Sequence, residues 1–196
     1  MDDRLNKQIH FLIEVDKMKN VLRQTLLIDK SRRENDAEHS WHFALMAMIL
    51  YEYADQTKVN LDRVIKMALV HDLVEIYAGD TFAYDDVGNE SKREREQSAA
   101  DRLFALLPSD QSIEIRNLWE EFDAGETSDS QYAAAIDHLQ PFISNYMTEG
   151  HTWKIGNVTS DRVYKRMGMV KKGTPELWPF VVSLIDASIE KGYLKK

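Results

Sequence analysis

Helical spacing runs through this chain almost from end to end, and no stretch keeps the apolar–polar alternation of a half-buried strand. Leu5, Ile9, Leu12, Ile13, Val15, Met18, Leu22 and Leu26 recur at that spacing and predict a long first helix over residues 3–27. A charged loop, DKSRREND, leads to a second helix capped by Asp36, with an apolar face continuing through Trp41, Ala44, Leu45, Met48 and Tyr51. Asn60 caps a third, LDRVIKMALVHDLVEI, and Gly79 opens a long polar loop to Glu90. SKREREQSAADRLFALL then stops at Pro108, and SIEIRNLWEEF makes a fifth helix. Ser128-x-x-Gln131 has the pattern of a capping box for QYAAAIDHLQPFISNYM. TSDRVYKRMGMV gives a shorter helix, and Thr174-Pro175 starts a last one that Gly192 closes. The expected fold class is all-α, one compact helical bundle.

The absence of cysteine removes disulfides, thiolate nucleophiles and cysteine-rich zinc sites, and suits a reducing compartment. The opening MDDRLNKQIHFLIEVDKMKN is charged throughout, unlike a signal peptide, and no apolar run reaches the length of a membrane span. The expectation is a cytoplasmic protein with no membrane contact. A net charge of −8 argues against nucleic acid as a partner. An anionic substrate must therefore be met by a metal or by a few local cations.

One stretch concentrates the chemistry. In ALVHDLVEIYAGDT, Glu75 follows Asp72 by three residues and His71 by four, so on a helix it lies beside both, and Asp80 comes shortly after. Imidazole nitrogen with carboxylate oxygen is the ligand set of a divalent transition metal. His39 in AEHSWH and Asp137 in AAAIDHLQP are candidates to complete it. Asp137 follows three alanines and an isoleucine, where a carboxylate needs a cation or several donors. Taken singly, each residue has an ordinary structural explanation. The order His39, His71-Asp72, Asp137, with Glu75 and Asp80 behind the pair, is far more specific.

The stretches RRENDAEHSWHFALMAM, MALVHDLVEIYAGDT and AAAIDHLQP resemble the HD-domain metal-dependent phosphohydrolases, and within them the 5′-deoxynucleotidase group. Arg23, in KNVLRQT, stands where that group has its arginine. The likeness covers roughly residues 5–150, and GTPELWPFVVSLIDASIEKGYL looks like bacterial relatives of the group. The resemblance implies a single HD domain over residues 1–196, its metal-site core at about 20–150 and helices of 151–196 packed on it. It implies that His39, His71, Asp72 and Asp137 bind one divalent metal, and manganese, cobalt, iron, nickel or zinc would suit these ligands. It further implies that Glu75 and Asp80 serve the reaction, that Arg23 meets the phosphate, and that the chain forms a homodimer. The implied activity is release of phosphate from (deoxy)nucleoside 5′-monophosphates by attack of a metal-bound water. Arginine's planar fork suits phosphate oxygens, and Glu75 could orient water or shuttle a proton, with Asp80 the second candidate.

Two other readings stand beside this one. The first is a phosphohydrolase of another small phosphate ester or of a nucleoside triphosphate, although the chain lacks the long basic loops that would favour a triphosphate. The second is a non-catalytic metal- or nucleotide-binding regulatory domain. A structural metal would be expected to fill every position with protein ligands and to need no acids or arginine beside it.

The remaining histidines weigh less. His42 lies three residues after His39 but enters the apolar face, and His10, His138 and His151 lack partner spacing. No histidine falls between His71 and His138, which predicts a mononuclear site. SKREREQ mixes signs as a solvated, ion-paired face does, with Lys92 carrying a second reading toward substrate. Arg32 and Arg33 read as loop solvation, and Trp153 and Trp178 as core or subunit contacts. Gln24 and Thr25, following Arg23, leave discrimination against a ribose 2′-hydroxyl open.

Overall fold

In the computed structural model, which describes residues 2–196, the first apolar stripe does not stay helical. Helix α1 (Asp3–Val15) starts where the Asp2 side chain accepts from the Arg4 amide. It then tightens into a 3-10 turn at Asp16–Asn20, where Met18 is the one buried side chain among lysines and asparagine. The chain leaves that turn extended, as strand β1 (Leu22–Leu26), and pairs antiparallel with β2 (Arg33–Asn35). Arg33 fastens the hairpin by donating to the carbonyl oxygens of Leu22 (2.7 Å) and Arg23. The helix expected over residues 3–27 therefore ends at Val15, and Arg23 sits on a strand.

Asn35, not Asp36, caps helix α2 (Asp36–Ile49). Its side chain accepts from the Glu38 amide (2.9 Å) and the Glu38 carboxylate accepts from its own amide (3.2 Å), closing a capping box. Asp36 is thereby free to turn inward. The buried face of α2 is Asp36, His39, Ser40, Phe43, Ala44 and Ala47, while Trp41, Leu45 and Met48 stay exposed. The apolar stripe expected through Trp41 thus faces outward, and the face carrying His39 faces the core.

Helix α3 (Leu61–Val70) begins at its Asn60 cap, as the sequence predicts. It does not continue to residue 76. From Val70 the backbone bonds i to i+3, through Leu73 to Val70, Glu75 to Asp72 and Ile76 to Leu73, before the short α4 (Glu75–Ala78). That tighter winding places His71 and Asp72 at the helix terminus rather than inside it. Part of the expected loop folds as α5 (Asp86–Glu90), followed by α6 (Lys92–Phe104), α7 (Ser109–Ala124) and α8 (Ser128–Met147). The cap of α8 is a Thr127/Ser130 box, one residue ahead of the predicted pair. The chain closes with α9 (His151–Ile155), α10 (Ser160–Gly173), a 3-10 turn at Pro175–Leu177 and α11 (Trp178–Glu190). The all-α expectation holds, with one small hairpin added.

Two apolar clusters organise these helices. One gathers Phe43, Ala47, Val64, Met67, Leu103, Phe104 and Trp119 around the first two thirds of the chain. The other gathers Phe142, Trp153, Val163, Met167, Val181 and Ile185 from the C-terminal helices. Helix α8 belongs to both, giving Tyr132, Ala133 and Ile136 to the first and Ala135, Leu139 and Phe142 to the second. Close approach of α10 to α8 needs a glycine, because a Cβ on Gly173 would run into the Gln131 carbonyl.

Candidate metal centre and its cavity

Three elements bring His39, His71, Asp72 and Asp137 together: α2, the tight turn after α3, and the middle of α8. His39 Nε2 lies 2.9 Å from Asp137 Oδ1, and His71 Nε2 lies 3.0 Å from Asp72 Oδ2 and 3.6 Å from Asp137 Oδ1. Ligand atoms of His39, His71 and Asp72 fall within 4.8 Å of one another.

The tautomers follow from the second ring nitrogens. His71 Nδ1 faces the Ala68 carbonyl at 3.0 Å, so it carries the hydrogen and donates. His39 Nδ1 faces Gln140 Oε1 at 3.1 Å. The Gln140 amide cannot be turned round, because its Nε2 donates to Glu34 Oε1 at 2.7 Å. His39 therefore also carries its hydrogen on Nδ1. In the neutral rings both Nε2 atoms are then lone-pair acceptors aimed at carboxylate oxygens. His71 Nε2 is buried with no hydrogen-bond partner. Lone pairs facing carboxylates require a cation between them, and two imidazole nitrogens with two carboxylate oxygens are a donor set that a divalent metal fits. Phe43 and Phe122 pack against the His71 ring, with centroids 5.2 and 4.9 Å away, and fix its rotamer.

Electrostatics tell the same story. Burial alone would raise Asp72 and Asp137, yet the imidazoles beside them, with Arg23 at Asp72, hold both well below the ordinary carboxylate range. Burial would likewise depress His71, yet Asp72 and Asp137 push it up to about 10. These groups hold positive charge among themselves when no metal provides it.

A second group of acids adjoins the first. Ligand-type oxygens of Asp36, Glu75 and Asp80 also lie within 4.8 Å of one another. Burial, then the charge of Asp72, pushes Asp36 up to about 7 and raises Glu75 well above its usual value. Asp80 is raised by burial as well, against the pull of Arg23. Arg23 sits between the groups, with Nη1 donating to Asp72 Oδ2 (2.8 Å) and Asp36 Oδ1 (3.2 Å) and Nε 3.8 Å from Glu34. Its Nη2 has no protein acceptor among the described residues.

Arg23, Asp72, Glu75, Asp80 and Asp137 line one cavity of about 140 Å³. Phe82, Tyr84, Phe142 and Trp153 also line it. Several residues in and around the site carried little or no signal at the level of sequence. Gln140, lone in an apolar helix, orients His39 and also donates to His42 Nδ1 (3.2 Å), which places His42 beyond the ligand set. His138 lines the cavity, its Nδ1 donating to the Arg166 carbonyl (3.2 Å), with burial and then Arg166 pressing it down to about 4. Arg166 lines it too, with no carboxylate partner among the described residues. Lys92 is a third cation of the wall. Arg95, from the same charged run, turns inward and pins the 79–91 loop through the Ala78 carbonyl (2.5 Å), Thr81 Oγ1 (2.8 Å) and the Gly88 carbonyl (3.1 Å). The run expected to be a solvated face is thus partly internal. Arg33 holds β1 and Arg32 pairs with Glu38, rather than solvating a loop. Pro141 also lines the cavity, and its missing amide leaves the Asp137 carbonyl without the usual donor one turn on.

Comparison with known proteins places these residues in context. The family model described as HD domain matches residues 15–178. The 5′-deoxynucleotidase HDDC2 of Homo sapiens is 30% identical over 136 residues, covering 69% of this chain and 65% of that protein. The Xenopus laevis protein of the same name is 32% identical over 110 residues, 56% of this chain and 53% of its own length. The chain thus spans between about half and two thirds of the length of these two curated relatives. Among solved structures, a predicted metal-dependent phosphohydrolase from Magnetospirillum magnetotacticum superposes with a TM-score of 0.95 at 50% identity, over 100% of this chain and 97% of that one. An HD-domain phosphohydrolase from Listeria innocua, 18% identical, shares the fold at a TM-score of 0.63 over 95% of each chain.

Proposed function

The chain belongs to the HD-domain family, and on that premise we propose that it is a metal-dependent phosphohydrolase releasing phosphate from (deoxy)nucleoside 5′-monophosphates. One observation carries this reading. Two imidazole nitrogens with free lone pairs meet two carboxylates beside a cavity that also holds an arginine and two further acids. The relatives supply the reaction class and the nucleotide, in the names phosphohydrolase and 5′-deoxynucleotidase.

His39, His71, Asp72 and Asp137 would hold one divalent ion, and manganese, cobalt, iron, nickel or zinc all accept such nitrogen and oxygen donors. Bound there, the ion supplies Lewis acidity toward phosphoryl oxygens and makes water more acidic. Gln140 and the Ala68 carbonyl hold the two imidazoles in the ligating tautomer. Arg23, anchored through Nη1, offers Nη2 to a phosphate oxygen. Glu75 holds and moves a proton at its carboxyl oxygens, with Asp36 as the neighbour that shares it and Asp80 as the second acid for the task. Phe82 and Tyr84 cover the nucleoside end of the cavity. Gln24 and Thr25 line it beside Arg23, where they bear on the sugar.

We place the enzyme in the cytoplasm, in keeping with a chain free of cysteine whose described residues include no helix long and apolar enough to cross a membrane. A homodimer is supported by two exposed apolar stripes, Leu5–Ile9–Leu12–Ile13 on α1 and Trp41–Leu45–Met48–Ile49 on α2. Light scattering that returned the mass of a single chain would remove the dimer.

The test of the activity is phosphate release from a panel of ribo- and deoxynucleoside monophosphates with manganese or cobalt, comparing wild type with Asp72→Ala. Release by wild type and none by the variant is expected, and the panel reads the sugar preference directly. No release from any nucleotide by metal-loaded wild type would move the assignment to another phosphate ester or to a binding role.

A further inference from the structure

The cavity has more positive charge than the proposed reaction has used, and the two cations that face its acids, Arg23 and Lys92, differ in how far their charge is already answered. Arg23 is tied to Asp72 and Asp36 through one nitrogen and faces Glu34 through another. Three carboxylates thus claim it before any substrate arrives. Lys92 is placed otherwise. It is the first residue of α6, and among the described residues its Nζ makes one ion pair, with Glu96 one turn on, at 3.4 Å. That distance is an ion pair rather than a good hydrogen bond. None of its three N–H donors is hydrogen-bonded among the described residues. Glu96 itself is mostly buried, its side chain 12% exposed, so it holds the ammonium from beneath.

The ammonium lines the same cavity as Arg23, Asp72, Glu75 and Asp80. Its charge is felt from several sides: it lowers Asp80 and His138, while against the opposing effect of burial Glu96, then Glu75 and Asp72, hold Lys92 above its ordinary value. Arg95, three residues on, staples the loop between α4 and α6 and so fixes the start of the helix on which Lys92 stands. A phosphomonoester carries up to two negative charges, and a site crowded with carboxylates repels it unless cations with unclaimed donors face it.

We infer that Lys92, held by Glu96, is a phosphate-binding residue of this site, donating to the oxygens of the substrate's phosphate monoester alongside Arg23. The inference rests on the reading of the cavity as a phosphohydrolase site and adds to it the side chain that receives the anion. Lysine suits the role as a compact point charge with rotatable donors, whereas Arg23 is fixed in orientation by its carboxylates.

The test compares wild type, Lys92→Gln and Lys92→Arg, each loaded with manganese, with inorganic phosphate as the probe in calorimetry and as a competitive inhibitor. Lys92→Gln should bind phosphate at least tenfold more weakly and show a raised KM for the nucleotide, with manganese content and melting temperature unchanged. Lys92→Arg, which keeps a cation, should bind phosphate within about threefold of wild type. Phosphate affinity unchanged in Lys92→Gln overturns the inference. Loss of manganese together with phosphate overturns it as well, since Lys92 would then be supporting the metal ligands. If wild type releases no phosphate from any nucleotide, the proposed activity fails, and the calorimetry still decides whether Lys92 receives the anion.

Discussion

Two sets of carboxylates lie against one another in this protein and titrate in opposite directions. Asp72 and Asp137 face imidazoles and are held well below the usual carboxylate range although burial works against them. Asp36 and Glu75, buried a few ångströms away, face chiefly other acids and are raised, Asp36 to about 7. Residue type is the same, and the neighbours decide. The first set stays ionised and calls for a cation, while the second keeps a proton where it can be moved. One region keeps its negative charge and the other keeps its proton.

The sharpest way to break this contrast is Glu75→Gln. If Glu75 handles a proton and does not hold the metal, kcat should fall on the order of 10²- to 10⁴-fold while metal content stays at one ion per chain. Phosphate-release kinetics with metal analysis on the same sample reads both. A wild-type content near two ions, falling to one in the variant, would merge the regions into a single binuclear centre. Gln140→Ala probes the first region from behind. It removes the acceptor that fixes the His39 tautomer and should weaken metal affinity by roughly 10- to 100-fold, read by competition with a chelator. Metal affinity equal to wild type would show that packing alone orients His39.

The smallest effect concerns pH. A carboxyl raised in the folded state binds its proton more tightly folded than unfolded, so it favours folding at low pH. With Asp36 moved from 3.8 to about 7, that contribution is complete below pH 3.8 and is lost as pH climbs through 7. In metal-free protein, Asp36→Asn should therefore flatten the fall of the melting temperature between about pH 4 and 7. Parallel melting curves for wild type and variant across that window would place the proton elsewhere.

Much of this arrangement could be read from the residues in order. The caps at Asn60 and near Thr127 were visible because short polar side chains precede apolar runs. His39, His71, Asp72 and Asp137 could be singled out because residues of ligand type recur at positions that otherwise read as helix interior. The hairpin was hidden because Leu22 and Leu26 continue a four-residue spacing that also fits a helix, and only pairing with β2 decides between them. The turn at His71 was hidden for a related reason, since a change from i+4 to i+3 bonding leaves the apolar pattern nearly intact. Gln140, His138 and Arg166 gave no signal because their roles depend on partners about 30 or more residues away, across α8. Arg95 looked like surface charge, and Lys92 kept only a second reading toward substrate, because a mixed-sign run has the same pattern whether or not one face of it is covered.

Pro141 gives helix α8 a property that its length conceals. The helix is a beam shared by the two apolar clusters, with Tyr132, Ala133 and Ile136 anchored in one and Leu139 and Phe142 in the other. A beam bends most easily where a rung is missing, and the missing rung lies between the Asp137 carbonyl and Pro141, at the crossing from one cluster to the other. A tilt of the C-terminal helices against the rest of the molecule would be concentrated at that turn, carrying Phe142 and Trp153 with it while Asp137 stays beside Ile136 with His39, His71 and Asp72. The stiffness of the whole C-terminal segment thereby bears on one wall of the cavity and not on the carboxylates opposite it.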